Sequence, residues 1–211
     1  MNDFDDLKES IRTVPDYPVD GVQFRDITTL LQNPKHFKKM IDGMTVQWAG
    51  ENIDAILSIE SRGFIMAGAL AYNLNTAFIP LRKPAKLPWQ TFSVSYELEY
   101  GATDMHIHQD ALDGHKNLLI IDDLLATGGT VIAALELIKK FGKKEIVGAG
   151  FVINLPDLGG LNKLEDLDKT KRVLMVTHQV VIYAITGINV GSGVAVAYNS
   201  RTGSAIKIST Q

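Results

Sequence analysis

Leu118-Leu119-Ile120-Ile121-Asp122-Asp123-Leu124-Leu125-Ala126-Thr127-Gly128-Gly129-Thr130 is the stretch on which the fold turns. Apolar residues run into two adjacent acids, a small glycine-rich turn follows, and an apolar helical pattern from Val131 to Phe141 begins directly after it. This order predicts a buried strand, a loop and a helix N-terminus. Backbone N–H groups of such a loop can converge on an anion, and the helix dipole favours negative charge there. Thr127 and Thr130 add hydroxyl donors. Asp122 and Asp123 stand at the carboxyl end of the expected strand, the ligand side of an open α/β sheet. An anion cradle beside two carboxylates suits a ligand with both a phosphate and sugar hydroxyls. A purely structural turn is a poorer account, because adjacent acids ending a buried strand are costly without a partner.

The motif is not a P-loop, since no Lys follows the glycines, and the dinucleotide fingerprint G-x-G-x-x-G is absent. Elsewhere the chain alternates strands and helices. Ala55–Ile59, Ala77–Leu81, Leu118–Ile121 and Ile146–Ile153 read as strands; Asn33-Pro34 opens a helix to about Trp48, and further helices fit 64–73 and 129–140. Such alternation predicts an α/β fold with a mostly parallel central sheet and helices on both faces. Residues 3–13 read as a short amphipathic helix and 17–29 as a loop with apolar anchors. The segment 82–103 carries Pro84 and Pro88 and reads as a flexible flap or hairpin. The charged run Asp166–Arg172 suggests a boundary between a domain at 1–170 and a C-terminal extension at 171–211. Within that extension, 173–176, 194–198 and 205–208 read as strands and 180–185 as helical or extended.

Composition narrows the function classes. The 211 residues are 45% hydrophobic and 21% charged, ordinary for a globular chain with a real core. A net charge of −3 gives no nucleic-acid footprint. The absence of cysteine excludes disulfides and thiolate chemistry and points to the cytoplasm. The acidic start Met1-Asn2-Asp3-Phe4-Asp5-Asp6 is no signal peptide. Gln179–Ser200 is uncharged, but its Gly-Ile-Asn-Val-Gly-Ser-Gly centre reads as a turn rather than a membrane span.

Three other constellations bear on chemistry. Glu60-Ser61-Arg62-Gly63 ends a strand and begins a helix; it is a second anion site or a structural Glu–Arg pair. Arg82-Lys83-Pro84-Ala85-Lys86 places three cations after another strand, where they could close over a leaving anion and exclude water. In the loop 15–28, Phe24 is either a stacking platform for a flat base or a core anchor.

The loop 15–28, the 60–63 turn, the Ile79–Lys83 strand end, the Lys86-Leu87-Pro88 flap, the Tyr96–Gly101 return and the 118–130 motif occur in one order. In that order and spacing they resemble the adenine phosphoribosyltransferases, a branch of the type I phosphoribosyltransferases, over residues 1 to about 165. The resemblance implies a transfer of phosphoribose from phosphoribosyl diphosphate (PRPP) to adenine, giving AMP and diphosphate in purine salvage. It implies that Phe24 stacks on adenine and that the backbone of Gln23 and Arg25 reads the base edge; Gln23 is polar where an aliphatic residue is expected. Asp122 and Asp123 would hold the ribose hydroxyls, and Ala126, Thr127, Gly128, Gly129 and Thr130 the 5′-phosphate. Arg62, Lys83 and Lys86 would meet the diphosphate. Arg82 would reach the neighbouring subunit, which implies a homodimer. Glu99 would handle the proton of the purine ring, and Mg²⁺ would arrive on PRPP, with no metal site of the protein's own.

Residues 172–182 resemble the second-histidine segment of the histidine phosphatases, but that family also needs an Arg-His-Gly motif and the chain has none. The tail therefore reads as a structural appendage packed on the core or a dimer mate. Two alternatives share the fold: a PRPP-sensing regulator, which should show a basic face or an added helix-turn-helix, and a transferase for a 6-oxopurine. The acidic charge and retained flap favour an enzyme with small-molecule partners and no nucleic-acid or membrane partner.

Overall fold

A computed structural model describes residues 4–98, 101–167, 172–177, 195–199 and 204–208. Its centre is a five-stranded parallel sheet in the order β4-β3-β7-β8-β9, formed by β3 (Ala55–Ile59), β4 (Ala77–Leu81), β7 (Asn117–Leu125), β8 (Glu145–Asn154) and β9 (Arg172–Thr177). Antiparallel hairpins pair β1 (Arg12–Pro15) with β2 (Gln23–Asp26), β5 (Thr91–Leu98) with β6 (Gly101–His108), and β10 (Ala195–Asn199) with β11 (Ser204–Ile208).

The sheet is apolar on both faces, as a covered parallel sheet must be. Along β3, Leu57 and Ile59 enter one core and Ile56 the other; along β7, Leu118 and Ile120 oppose Leu119 and Ile121. The helix α4 (Gly63–Leu74) covers one face through Met66, Ala67 and Leu70, together with Met40, Met44 and Trp48 of α3 (Pro34–Trp48). Helix α5 (Gly129–Lys139) covers the other through Val131, Ala134 and Leu137, beside Met105 and Ile107 of β6. Helix α3 starts where expected: the Asn33 side chain accepts from the amides of Lys35 and His36 at 3.0 and 3.3 Å, with Pro34 in the first turn.

Strand order creates the crevice. From β3 the chain crosses by α4 to β4 on one side, and later returns as β7 on the other side of β3. The loops after β3 and β7 therefore leave neighbouring strands on either side of a topological switch point, where open α/β sheets bind ligands.

The amino-terminal expectations need correction. Helix α1 spans only Asp5–Glu9, and 12–15 is a strand paired with residues of the expected loop. The hairpin is fastened by contacts that local periodicity does not reveal: Arg12 to Asp26 through Nε at 3.1 Å, and the Arg12 amide to Thr29 Oγ1 at 3.1 Å. A short helix α2 follows at Thr28–Gln32. The hairpin β5–β6 runs to His108, five residues past the expected end of the flap, because His106 also exchanges backbone hydrogen bonds with Arg82. Strand β7 runs past both acids, since β8 keeps pairing with it at Asp122↔Phe151 and Leu124↔Ile153. Strand β9, within the stretch read as an extension, lies beside β8 in the central sheet. The expectations for Glu99, for 180–185 and for His178 fall outside the described residues.

Candidate active site

The switch-point crevice is built from four segments. Strand β3 delivers Glu60-Ser61-Arg62, β4 delivers Arg82 and Lys83, β7 delivers the two acids and the 126–130 loop, and the β1–β2 hairpin delivers Phe24. Arg62 joins two of these. Its Nε lies 2.6 Å from Asp123 Oδ2, and its guanidinium carbon lies 5.3 Å from the centre of the Phe24 ring. Phe24 is steadied on another side by Tyr17, whose ring meets it edge-on at 5.1 Å. The sequence reading did not single out Tyr17; its position in a Pro-bounded segment was the available signal.

The acids differ in surroundings. Asp123 Oδ2 has the Arg62 cation close by but no donor aligned on it. Asp122 is equally buried, with Oδ1 accepting the Asp123 amide at 2.9 Å. Burial, and then the charge of Asp123, hold the Asp122 carboxyl well above the usual carboxylate range, while Arg62 pulls the other way. Gly63 makes this packing possible. A Cβ there would stand 2.6 Å from both Asp122 Oδ1 and Ser58 Oγ, so only glycine lets α4 start against the acid. The Tyr96 hydroxyl of β5 has its pKa raised by burial and by the Asp122 and Glu60 carboxylates, which brings the flap hairpin against the same crevice.

The Glu60–Arg pair exists, but with a different arginine from the one nearest in sequence. Glu60 Oε2 accepts from Arg82 Nε and from the Lys83 amide, both at 2.9 Å. These bonds tie the end of β3 to the end of β4, and they hold the Glu60 carboxyl below its usual pKa, with Arg82 the larger cause. The Arg82 guanidinium also lies 5.7 Å from the Phe64 ring centre. Lys83 and Lys86 are exposed on the segment leaving β4.

The loop Ala126–Gly128 leads into α5, whose first residues are Gly129 and Thr130. Gly128 has φ +80°, a left-handed conformation that favours glycine, and it serves as the N-cap. Gln23 and Arg25 lie on β2, which is paired with β1 on one edge only among the described residues. The Arg25 side chain hydrogen-bonds Thr13. No group of three or more His, Cys, Asp or Glu residues capable of holding a metal occurs among the described residues. No helix among them is long and apolar enough to cross a membrane.

The site is thus a glycine-bearing loop at a helix N-terminus, two adjacent acids and a cation-covered aromatic ring around one crevice. Residues 26–183 match the phosphoribosyl transferase domain family. An adenine phosphoribosyltransferase of Rhizobium johnstonii is 49% identical over 166 residues, covering 79% of this chain and 92% of the relative. The crystal structure of adenine phosphoribosyltransferase from Thermoanaerobacter pseudethanolicus superposes with a TM-score of 0.75 at 38% identity, over 82% of this chain and 98% of the other. The Saccharomyces cerevisiae enzyme, complexed with an imino-altritol bisphosphate and adenine, gives 0.75 at 33% identity, over 82% and 97%. With this fold, this crevice and these relatives, the chain belongs to the phosphoribosyl transferase domain family, among the adenine phosphoribosyltransferases.

Proposed function

We propose that the protein is a purine-salvage transferase: adenine N9 attacks C1 of PRPP, the bond from C1 to the diphosphate oxygen breaks, and AMP and diphosphate leave. The observation that carries this reading is Arg62, which bridges the aromatic ring of Phe24 and the carboxylate of Asp123 across the switch point. It supports the reading because one cation then stands beside both the ring that stacks on the base and the acid that accepts the ribose, close to the C1 from which diphosphate departs on the face away from the base.

Each side chain has a physical task. Phe24 stacks on the flat base, and the backbone of Gln23 and Arg25 on β2 reads its edge. Asp123, with no aligned donor on Oδ2, accepts a ribose hydroxyl, and Asp122 supports it from below. Ala126, Thr127, Gly128, Gly129 and Thr130 hold the 5′-phosphate through loop amides, hydroxyls and the α5 dipole. Arg62, Lys83 and Lys86 neutralise the leaving diphosphate. Glu99 manages the proton of the purine ring. Mg²⁺ prefers hard oxygen donors and keeps several waters, so it would arrive on PRPP with the Asp123 carboxylate as the hard oxygen of this chain beside it, and it would neutralise charge on the leaving group.

The assembly we infer is a homodimer. Ile65 and Tyr72 stand on the outer side of α4 and Phe78 on the adjoining edge strand β4; they are 45%, 86% and 37% exposed. Large apolar side chains exposed side by side are the usual mark of a protein surface that is covered by a partner. Arg82 lies beside this face and, released from Glu60, reaches toward a partner subunit's site. Residues 1–170 together with β9, which joins their sheet, form the transferase domain in this reading, and the remainder of 171–211 is an extension packed on the core or a dimer mate; the location is cytoplasmic.

The test is an assay of purified protein with Mg²⁺ and PRPP, offering adenine, hypoxanthine and guanine separately and identifying products by chromatography. AMP from adenine with little turnover of the oxopurines is expected. PRPP binding without turnover of any base would sink the enzyme reading.

A further inference from the structure

Gly159-Gly160 lies after β8, apart from the four segments that line the crevice. After β8, a single 3₁₀ turn at Pro156–Leu158 bends the chain back, Gly159 closes the turn at φ +70°, and Gly160 opens helix α6 (Gly160–Leu167). That brings Gly160 into backbone-to-backbone contact with the phosphate loop. Its amide donates to Ala126 O at 3.0 Å. A Cβ at 160 would lie 2.2 Å from Ala126 O and 2.8 Å from Gly128 N, and a Cβ at Gly128 would lie 3.1 Å from Gly160 O. Neither chain has room for a side chain where they meet, and the colliding atoms are backbone, so no rotamer change relieves the clash. On another side the loop is bounded by the flap hairpin, where a Cβ at Gly129 would stand 3.4 Å from Glu97 O.

The consequence follows from peptide geometry. In a planar trans peptide the C=O of one residue and the N–H of the next point in opposite directions. The Ala126 carbonyl is aimed at Gly160, so the Thr127 amide is aimed away from Gly160, on the opposite side of the loop. The geometry points to Gly160 as a positioning residue: by gripping the Ala126 carbonyl it orients the loop amides that receive the 5′-phosphate. Helix α6 is itself anchored, with Leu164 buried in the core beneath α5 and Leu161 packed against it. The inference rests on the reading that residues 126–130 hold the phosphate.

Ribose 5-phosphate binding by calorimetry, and KM for PRPP against KM for adenine, test it. Gly160→Ala is expected to weaken ribose 5-phosphate and raise the PRPP KM by about tenfold or more, a shift of about 1.4 kcal/mol, with the adenine KM within about threefold. Leu164→Ala loosens α6 without a clash, and is expected to weaken ribose 5-phosphate about threefold should Gly160→Ala fail to fold. Gly159→Asn alters the same turn, tolerates a left-handed φ and meets no neighbour, so wild-type binding is expected. Equal losses in Gly159→Asn and Gly160→Ala, or wild-type binding in Gly160→Ala and Leu164→Ala, overturn the proposal. Thr127→Ala and Thr130→Ala separate the two ways of failing. If they weaken ribose 5-phosphate while Gly160→Ala does not, only the brace is wrong; if they too bind normally, the loop assignment falls with it.

Discussion

Arg62 Nε stands 2.6 Å from Asp123 Oδ2, so the loop after β3 and the end of β7 are joined by charge across the crevice that separates them. The same guanidinium faces Phe24. Phe24, Arg62 and Asp123, carried by three separate segments, are thereby mechanically linked.

Removing the cation should move the pH profile. Burial and Asp123 already raise the Asp122 pKa, and Arg62 opposes that rise. In Arg62→Gln the Asp122 carboxyl becomes harder to ionise, so the carboxylate that supports ribose binding beside Asp123 is lost at higher pH. The acid limb of kcat/KM for PRPP should shift upward in pH. An unmoved limb would mean that the pair does not control ribose binding.

Phe24→Ala should raise the adenine KM by about tenfold or more, because stacking on a base is worth about 1–3 kcal/mol. The PRPP KM should change far less. Equal losses for both substrates would recast Phe24 as a core anchor.

Asp26 supports the hairpin that carries Phe24. It accepts from Arg12, and its Oδ1 accepts from the Thr28 amide at 2.9 Å and the Thr28 hydroxyl at 2.5 Å. Thr28 first, then Arg12, lower its pKa from 3.8 to about 2. A depressed folded-state pKa gives stability that is present above 3.8 and lost as pH falls toward about 2. Allowing for screening of a near-surface pair, the contribution is on the order of 1 kcal/mol. Asp26→Asn should lower the melting temperature at pH 7 and flatten its acid dependence over that window. A parallel acid slope in both proteins would contradict it.

Glu99→Ala should cut kcat at least about tenfold, since positioned proton transfer typically contributes about 10²–10⁴-fold. Single-turnover kinetics would show whether the chemical step is the one slowed; an unchanged rate removes Glu99 from the mechanism.

Tyr72→Glu changes a side chain that is 86% exposed, so the folded monomer should tolerate it. Light scattering should show the wild type as a dimer and the variant shifted to monomer, with activity falling alongside. A monomeric wild type would refute the dimer.

Periodicity and local punctuation made the central elements legible. The Asn33-Pro34 cap and the apolar run at 55–59 carry their own local causes, and each forms where those causes place it; the run at 118–121 forms too, within a longer strand, and the glycine turn at 126–128 leads into α5. The hairpin at 12–26 was not legible in the same way. Its register depends on Arg12 reaching Asp26, and on Thr29, whose hydroxyl donates to Ser10 O at 2.6 Å, and nothing in a local window signals such contacts. Likewise the sequence paired Glu60 with the arginine two positions away, whereas the parallel pairing of β3 with β4 brings Arg82 to it instead.

The sequence by itself determined the kind of site: an aliphatic strand carrying Asp122-Asp123 near its carboxyl end, a Thr-Gly-Gly-Thr loop and a helix behind it, all set by neighbours in the chain. Only the tertiary structure decided the partners. Strand order put β3 beside β7 and so Arg62 against Asp123 and Phe24, and the return of the chain after β8 set Gly160 under Ala126. Those contacts join residues tens of positions apart. They exist because packing both faces of one sheet leaves the loop ends nowhere else to meet.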